Sequence, residues 1–445
     1  MRSSGGALSR LVRAVSVPLL FAEVSEIVVH VTDTVFLARV GTVEVGAIAL
    51  ADSLLEVAVV LTVGLIEGIQ ILFARRVGEG RHRAAGDVFN LGLLLLTLVS
   101  LALTALLLVA ARPVTALLVT SPDVGAAVVA FLRVIAFGIV FNSANYAYSA
   151  LLVGLGTTRP LIGATLVLLV TNVALDYLLV FGKLGLPALG IRGSALGSVG
   201  AEIAAFLYLP RSVLRRADPG RYGLFRFARW RPRLVRSLAM LSSPVALHAL
   251  VEAGRWFAFF LILERMGPQA LAASNVVYSC YAVLQIPTQA FGEAACSLVS
   301  RLIGRGQERR IGLLMREVLS PAYGLTLPFA GLALLCPGLI LSWVASDPAL
   351  VAAGRASLRV VAAAMLVVIP GELWLVAVSG TGDTSAALGI EVLLTLTMVA
   401  ASLTAAWGMG LGAAFVWMSL PAGWVLALAA SYVWVRAGYW KRLEI

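Results

Sequence analysis

Apolar stretches of about 20 or more residues recur along the whole chain, and each is long enough to cross roughly 30 Å of hydrocarbon as a helix. Composition agrees. Of 445 residues 60% are hydrophobic and only 13% charged, with a mean hydropathy of +0.96, beyond what a soluble domain of this length shows. The chain therefore reads as an all-α integral membrane protein with twelve transmembrane helices and no soluble domain. Short breaks with turn chemistry place the spans near 14–38, 46–77, 88–111, 123–153, 160–182, 191–210, 237–264, 270–302, 313–342, 349–379, 386–407 and 412–436. Residues 1–22 carry Arg10 and Arg13 ahead of an apolar run, as a signal peptide would. Glu23 and Glu26 interrupt that run where a cleavage site belongs, so it is read as the first span.

The net charge of +11 is unevenly placed. Most of the 34 lysines and arginines fall at the termini or in loops after even-numbered spans, nine of them between Pro210 and Arg236 (Arg211, Arg215, Arg216, Arg221, Arg226, Arg229, Arg231, Arg233 and Arg236). That asymmetry predicts a cell-membrane protein with both termini cytoplasmic, its basic loop a topology signal lying on anionic lipid rather than a nucleic-acid site. Cys280, Cys296 and Cys336 lie in or beside spans without metal-ligand spacing and are read as packing residues.

Sliding the sequence against itself until Pro18 meets Pro244 aligns its two halves without a gap over a long distance. In that register Glu26 meets Glu252, Gly41 meets Gly267, Glu67 meets Glu293, and "GLGTT" at 154–158 meets "GTGDT" at 380–384. Two pseudo-symmetric six-helix lobes are expected, residues 1–210 and 237–445, tied by the basic segment 211–236. Six is even, so both lobes enter the membrane in the same sense, and a cleft between or within them is the expected substrate place.

The first span, "FAEVSEIVVHVTDTVFLARVG", carries Glu23, Glu26, His30 and Asp33 at steps of three, four and three, which places them on one helix face. A charge near the bilayer centre costs about 2.5 to 3.5 kcal/mol, so this stripe is expected to face a polar interior rather than lipid. Pro18, at the start of the same span, reads as a helix starter or as a bend. In the fifth span, "LLVTNVALDYLLVFG" sets Asn172 and Asp176 four apart, an amide oxygen beside a carboxylate. Such a pair suits a small hard cation or a transferable proton, and Ser194 or Ser198 of the next span offers a hydroxyl to complete it. Glu252, near His248 and Arg255, has an ion-pair reading with Arg255 three residues on. Glu372 and Glu391 are candidates to line a cavity, whereas Asn142 and Asn145 read as interhelical hydrogen-bond partners.

With these residues in view the sequence resembles the multidrug and toxic compound extrusion (MATE) family of antiporters over essentially its whole length. The likeness rests on Pro18 with "DTVFLARVG" ending at Gly41, on "GLGTTRP" with its repeat "GTGDT", on "NVALD" at 172–176 and on "GSALGS" at 193–198. The resemblance implies two six-helix bundles in a V, alternating access, and exchange of Na+ or H+ for an amphipathic, usually cationic, compound. By the same likeness Asp33, Asn172, Asp176 and Ser198 match the cation-coupling residues, the first three holding Na+ if sodium is the coupling ion. Pro18 matches a helix-bending proline, and Glu252 matches a seventh-helix glutamate of one bacterial subgroup. Glu26, His30 and Glu372 are further candidates for coupling or substrate contact. Three features depart from the pattern: Thr157 stands where the second half has Asp383, Glu372 is one turn from that subgroup's aspartate, and His30 is not general. Expected partners are a small amphipathic cation and the bilayer, for a monomer with no cofactor beyond its coupling ion. Two rivals differ in class. A lipid-linked sugar flippase predicts a basic cavity, and an intramembrane enzyme would need a nucleophile or metal motif that the sequence lacks.

Overall fold

Long apolar runs closed by glycine and proline give long helices. The computed structural model describes residues 2–226 and 231–442, and among them every regular element is helical. The first half contains α1 (Arg2–Ala38), α2 (Thr42–Gly78), α3 (His82–Leu118), α4 (Pro122–Ile135), α5 (Gly138–Leu155), α6 (Arg159–Phe181), α7 (Ile191–Arg216) and the single turn α8 (Pro219–Tyr222). The second contains α9 (Pro232–Arg265), α10 (Pro268–Gly304), α11 (Ile311–Leu335), α12 (Pro337–Val344), α13 (Pro348–Gly380), α14 (Thr384–Leu403), α15 (Ala413–Trp417) and α16 (Ser419–Ala437). A proline at the first or second position opens α4, α6, α8, α10, α12 and α13, where a missing N–H costs nothing.

Ten helical stretches are long and apolar enough to cross a membrane, and α4 with α5, bent by 49° at a short break, makes an eleventh. The twelfth expected span is α7, whose 26 residues suffice in length while glycine, serine and Glu202 dilute its hydropathy. The fold is that of an all-α membrane protein with twelve transmembrane helices in two pseudo-symmetric lobes. Several spans differ in detail from expectation. The ninth breaks at Cys336, where Pro337 starts α12, and the eleventh ends in a π-helical turn, Thr404–Gly408.

Helix α1 begins at Arg2 rather than near residue 14, which puts Pro18 well inside it and not in its first turn. Pro18 therefore interrupts the backbone hydrogen-bond ladder, and the helix-starter reading does not apply. Pro244 is likewise inside α9. The chain divides into two compact units, one of Val17–Ala246 and one of Met1–Ser16 with Leu247–Ile445. Both dividing points fall beside these two prolines. The units thus differ from the expected 1–210 and 237–445 in where the amino-terminal parts of α1 and α9 belong. In the second unit, buried Val12 joins a core with Phe259, Leu263 and Trp417, and α13 is its centre, packed on α10, α11 and α16.

The described residues of the basic segment pack against the protein itself. Asp218 Oδ1 accepts from the backbone N–H groups of Gly220 and Arg221, each at 3.1 Å, and caps α8. Asn90 Nδ2 donates to the carbonyls of Gly223 and Arg226 at 2.9 and 3.0 Å, and Arg231 pairs with Asp87. The stretch is docked on α3. Arg229 lies outside the described residues.

Candidate functional site

The residues singled out on α1, α6 and α7 meet inside the first unit. Helices α6 and α7 approach closely because α7 presents glycine on the shared face. A Cβ at Gly193 would come within 2.6 Å of the Leu179 backbone, and one at Gly197 would strike the Asp176 carboxylate. This proximity brings Asn172 and Asp176 beside Ser198, and Asn172 Nδ2 donates to Ser198 Oγ at 3.4 Å. Asp33 of α1 completes the group, with Asp176 and Asn172 as its side-chain neighbours. Asp33, Asn172 and Asp176 are all buried, Asp176 completely.

The site is rich in acceptors and poor in donors. Asp33 Oδ1, Asn172 Oδ1 and both Asp176 oxygens are enclosed without a protein hydrogen bond, and so is Ser194 Oγ. Two neighbouring carboxylates in such a place repel unless a proton or a cation stands between them. Two carboxylates, an amide oxygen and a hydroxyl form a hard-oxygen set suited to H+ or a small alkali cation. Among the described residues no three His, Cys, Asp or Glu side chains converge as a transition metal would require.

The rest of the α1 stripe is not enclosed with Asp33. Glu23 is half-buried, while Glu26 and His30 are exposed on the unit's surface. His30 Nδ1 lies 3.5 Å from Asp52 Oδ2 of α2, so its neighbour is a different acid from the buried pair. A further acid, Glu202 of α7, escaped the sequence reading. Asn142 and Asn145 donate to its two carboxylate oxygens, each at 2.8 Å, which gives those amides the interhelical role expected of them. Its signal was available: it is a lone acid in the middle of the sixth span.

The acids of the second half form a separate cluster within the second unit. Arg255 of α9, 2% exposed, sits 2.9 Å from Glu391 of α14 and 3.2 Å from Glu252. The expected Glu252 partner is present, but the closer contact is to Glu391, which is 1% exposed and also 3.5 Å from His248. The guanidinium is stacked near Trp256 and Trp424, with its centre 5.8 and 5.9 Å from their rings. Glu372 of α13 accepts from Gln285 Nε2 at 2.6 Å, and the same amide reaches the Tyr281 hydroxyl at 2.9 Å.

A family model, MatE, matches residues 18–178 and again residues 244–404. The chain belongs to the MatE family. The two matched halves of this MatE protein start at Pro18 and Pro244, the pair that sets the register of the internal repeat. It is similar to a probable multidrug resistance protein NorM of Agrobacterium fabrum, 25% identical over 81% of this chain and 77% of that one. A probable NorM of Synechocystis is 27% identical over 75% and 72%. Among solved structures, a Vibrio cholerae MATE transporter superposes with a TM-score of 0.90 at 17% identity, over 98% of each chain. A transporter of the MOP superfamily from Pyrococcus furiosus also gives 0.90, at 16% identity over 98% and 97%. As a MatE protein the chain is a multi-pass membrane transporter and not an enzyme.

The repeat shows that the two halves of this MatE transporter are not chemically equivalent. The positions matching Asp33, Asn172 and Asp176 are Phe259, Met398 and Ser402, all buried, and Ser402 donates to Ser419 Oγ at 2.9 Å. Conversely, Arg255 and Glu391 match Val29 and Thr165. The oxygen set with unpaired acceptors is therefore confined to the first half of the repeat, and the arginine-bound carboxylates to the second.

Proposed function

We propose that this transporter is a secondary active antiporter that exports amphipathic, cationic organic compounds in exchange for Na+ or H+. The observation that carries the reading is the buried Asp33, Asn172, Asp176 and Ser198 group, in which Asp33 Oδ1, Asn172 Oδ1 and both Asp176 carboxylate oxygens have no protein donor. A proton or Na+ there relieves the repulsion between Asp33 and Asp176 and favours the conformation in which the group is closed around it. A cationic substrate relieves the same repulsion, so the two compete, and loading one favours release of the other. One charge moving through 100 mV supplies about 2.3 kcal/mol before any concentration gradient. The relatives' description as multidrug resistance proteins supports a drug-like substrate class. The loop charges support insertion in the cell membrane with both termini cytoplasmic. A flippase reading has less support, because the buried groups are mainly acids and Arg255 is already held by Glu391.

The test is efflux of a fluorescent organic cation from proteoliposomes under a Na+ gradient alone and then a pH gradient alone. Efflux driven by one gradient names the ion, and Asp33→Asn is expected to abolish it while the protein still inserts. Undiminished gradient-driven efflux by Asp33→Asn would refute the role of the buried pair.

A further inference from the structure

The two halves treat equivalent surface turns differently. In the first half the turn between α2 and α3 carries Glu79, whose carboxylate pairs with Arg76 at 2.9 Å and Arg81 at 3.4 Å. The chain itself covers the adjoining surface. The Tyr222 ring stands 5.1 Å from His82, Asn90 binds the 223–226 backbone, and a Cβ on Gly86 would strike the Tyr222 carbonyl.

The repeat places Arg305 where the first half has Glu79, Gly312 in place of Gly86 and Arg316 in place of Asn90. Charge is reversed, and among the described residues nothing lies within 4 Å of a Cβ built on Gly312. In this part of the second unit a cavity of about 130 Å³ opens, lined by Leu8 and Leu11 of α1 together with Arg301, Arg305, Gln307 and Arg310. Leu298 and Leu302 of α10 extend the apolar side. Arg301 is already engaged within the fold, so the added charge rests on Arg305 and Arg310. Among the described residues no carboxylate stands within ion-pair distance of these two, the turn's own Glu308 included.

We propose that this cavity binds the phosphate-bearing headgroup of an anionic membrane phospholipid, with an acyl chain running along Leu8 and Leu11. Charge complementarity argues for the phosphate, since guanidinium groups present paired donors to phosphate oxygens. The leucine wall argues for a lipid over a free anion, because a soluble phosphate has no use for apolar surface beside it. Location agrees. The turn joins two consecutive spans, Pro268–Gly304 and Glu308–Leu335, and so stands at the membrane surface. On the orientation that the loop charges favour, that surface is the cytoplasmic leaflet, where anionic lipid attracts arginine. The lipid would do for the second half what residues 218–226 do for the first.

The test uses the full-length protein in nanodiscs of phosphatidylcholine, titrated with pyrene-labelled phosphatidylglycerol and read by energy transfer from tryptophan. Arg305→Glu with Arg310→Glu is expected to raise the half-saturating lipid fraction at least tenfold. Arg309→Glu, an exposed neighbour that does not line the cavity, is expected to change it less than twofold. Arg305→Gln with Arg310→Gln serves if the charge reversal does not fold, with a smaller loss expected. Equal lipid binding by the cavity and control variants overturns the proposal. Displacement of the label by excess inorganic phosphate at constant ionic strength also overturns it, since the cavity would then be a free-anion site.

Discussion

Gly197 leaves the buried acids no room for a methyl group. Its replacement by alanine drives a Cβ into Asp176, whose carboxylate must then move from its neighbour Asp33. Gly197→Ala is expected to cut ion-driven efflux at least tenfold with normal membrane insertion. Gly200→Ala, which meets only the mobile Cδ1 end of Leu175, should stay within about twofold of the parent in the same assay. A second residue-scale prediction concerns the Arg255 to Glu391 pair. Breaking a buried ion pair from one side costs about 3 to 5 kcal/mol, whereas removing both partners costs much less. Arg255→Met and Glu391→Gln should each lower the thermal midpoint of the purified protein, and the double variant should recover part of that loss. Additive losses would mean that the two side chains do not act as a pair. Asp33, Asn172 and Asp176 were legible because polar and ionisable groups inside an apolar run have few places to go. Glu202 offered the same signal in the sixth span, but its pairing was not legible, because its partners Asn142 and Asn145 stand on another helix, far back along the chain. The burial of Arg255 was equally hidden, since its Glu391 partner is far along the chain and only Glu252 shares its helix face.

Among the helices, twelve spans could be read from hydropathy, but their interruptions could not, because a bend depends on where a proline falls relative to a helix start. Pro18 stood near the expected start of a span and is instead about four turns inside one. Pro18→Ala restores a backbone N–H to the interior of α1, so the helix should stiffen there. The expected outcome is a protein at least as heat-stable as the parent but several-fold slower in efflux. Unchanged efflux rates would show that the interruption has no part in the transport cycle. Helix α7 presents the opposite case: the glycines that lower its hydropathy are the residues that let it press against α6 and close the buried oxygen group. The stretch after α7 was read as charge alone, and charge does not report that Asn90 binds its backbone and Asp87 holds Arg231.

At the scale of the molecule, the internal repeat was legible to the residue, and the MatE match follows the same register. The membership of the chain ends was not, because it depends on packing between segments from opposite halves of the sequence, such as Val12 with Phe259. One compact unit, Val17–Ala246, is an uninterrupted run, whereas the other combines Met1–Ser16 with Leu247–Ile445. The order of synthesis runs against this arrangement. The ribosome makes Met1–Ser16 before Val17–Ala246, yet the core that receives Val12, Leu8 and Leu11 is made after it. Met1–Ser16 must therefore wait, without its permanent neighbours, until the helices of Leu247–Ile445 have entered the bilayer. Deleting residues 2–12 should leave early translocation intact and expose a defect only at completion, seen as full-length chains that insert and are then degraded. A segment made early is in this sense the closing piece of a core made late, and assembly does not follow the order of translation.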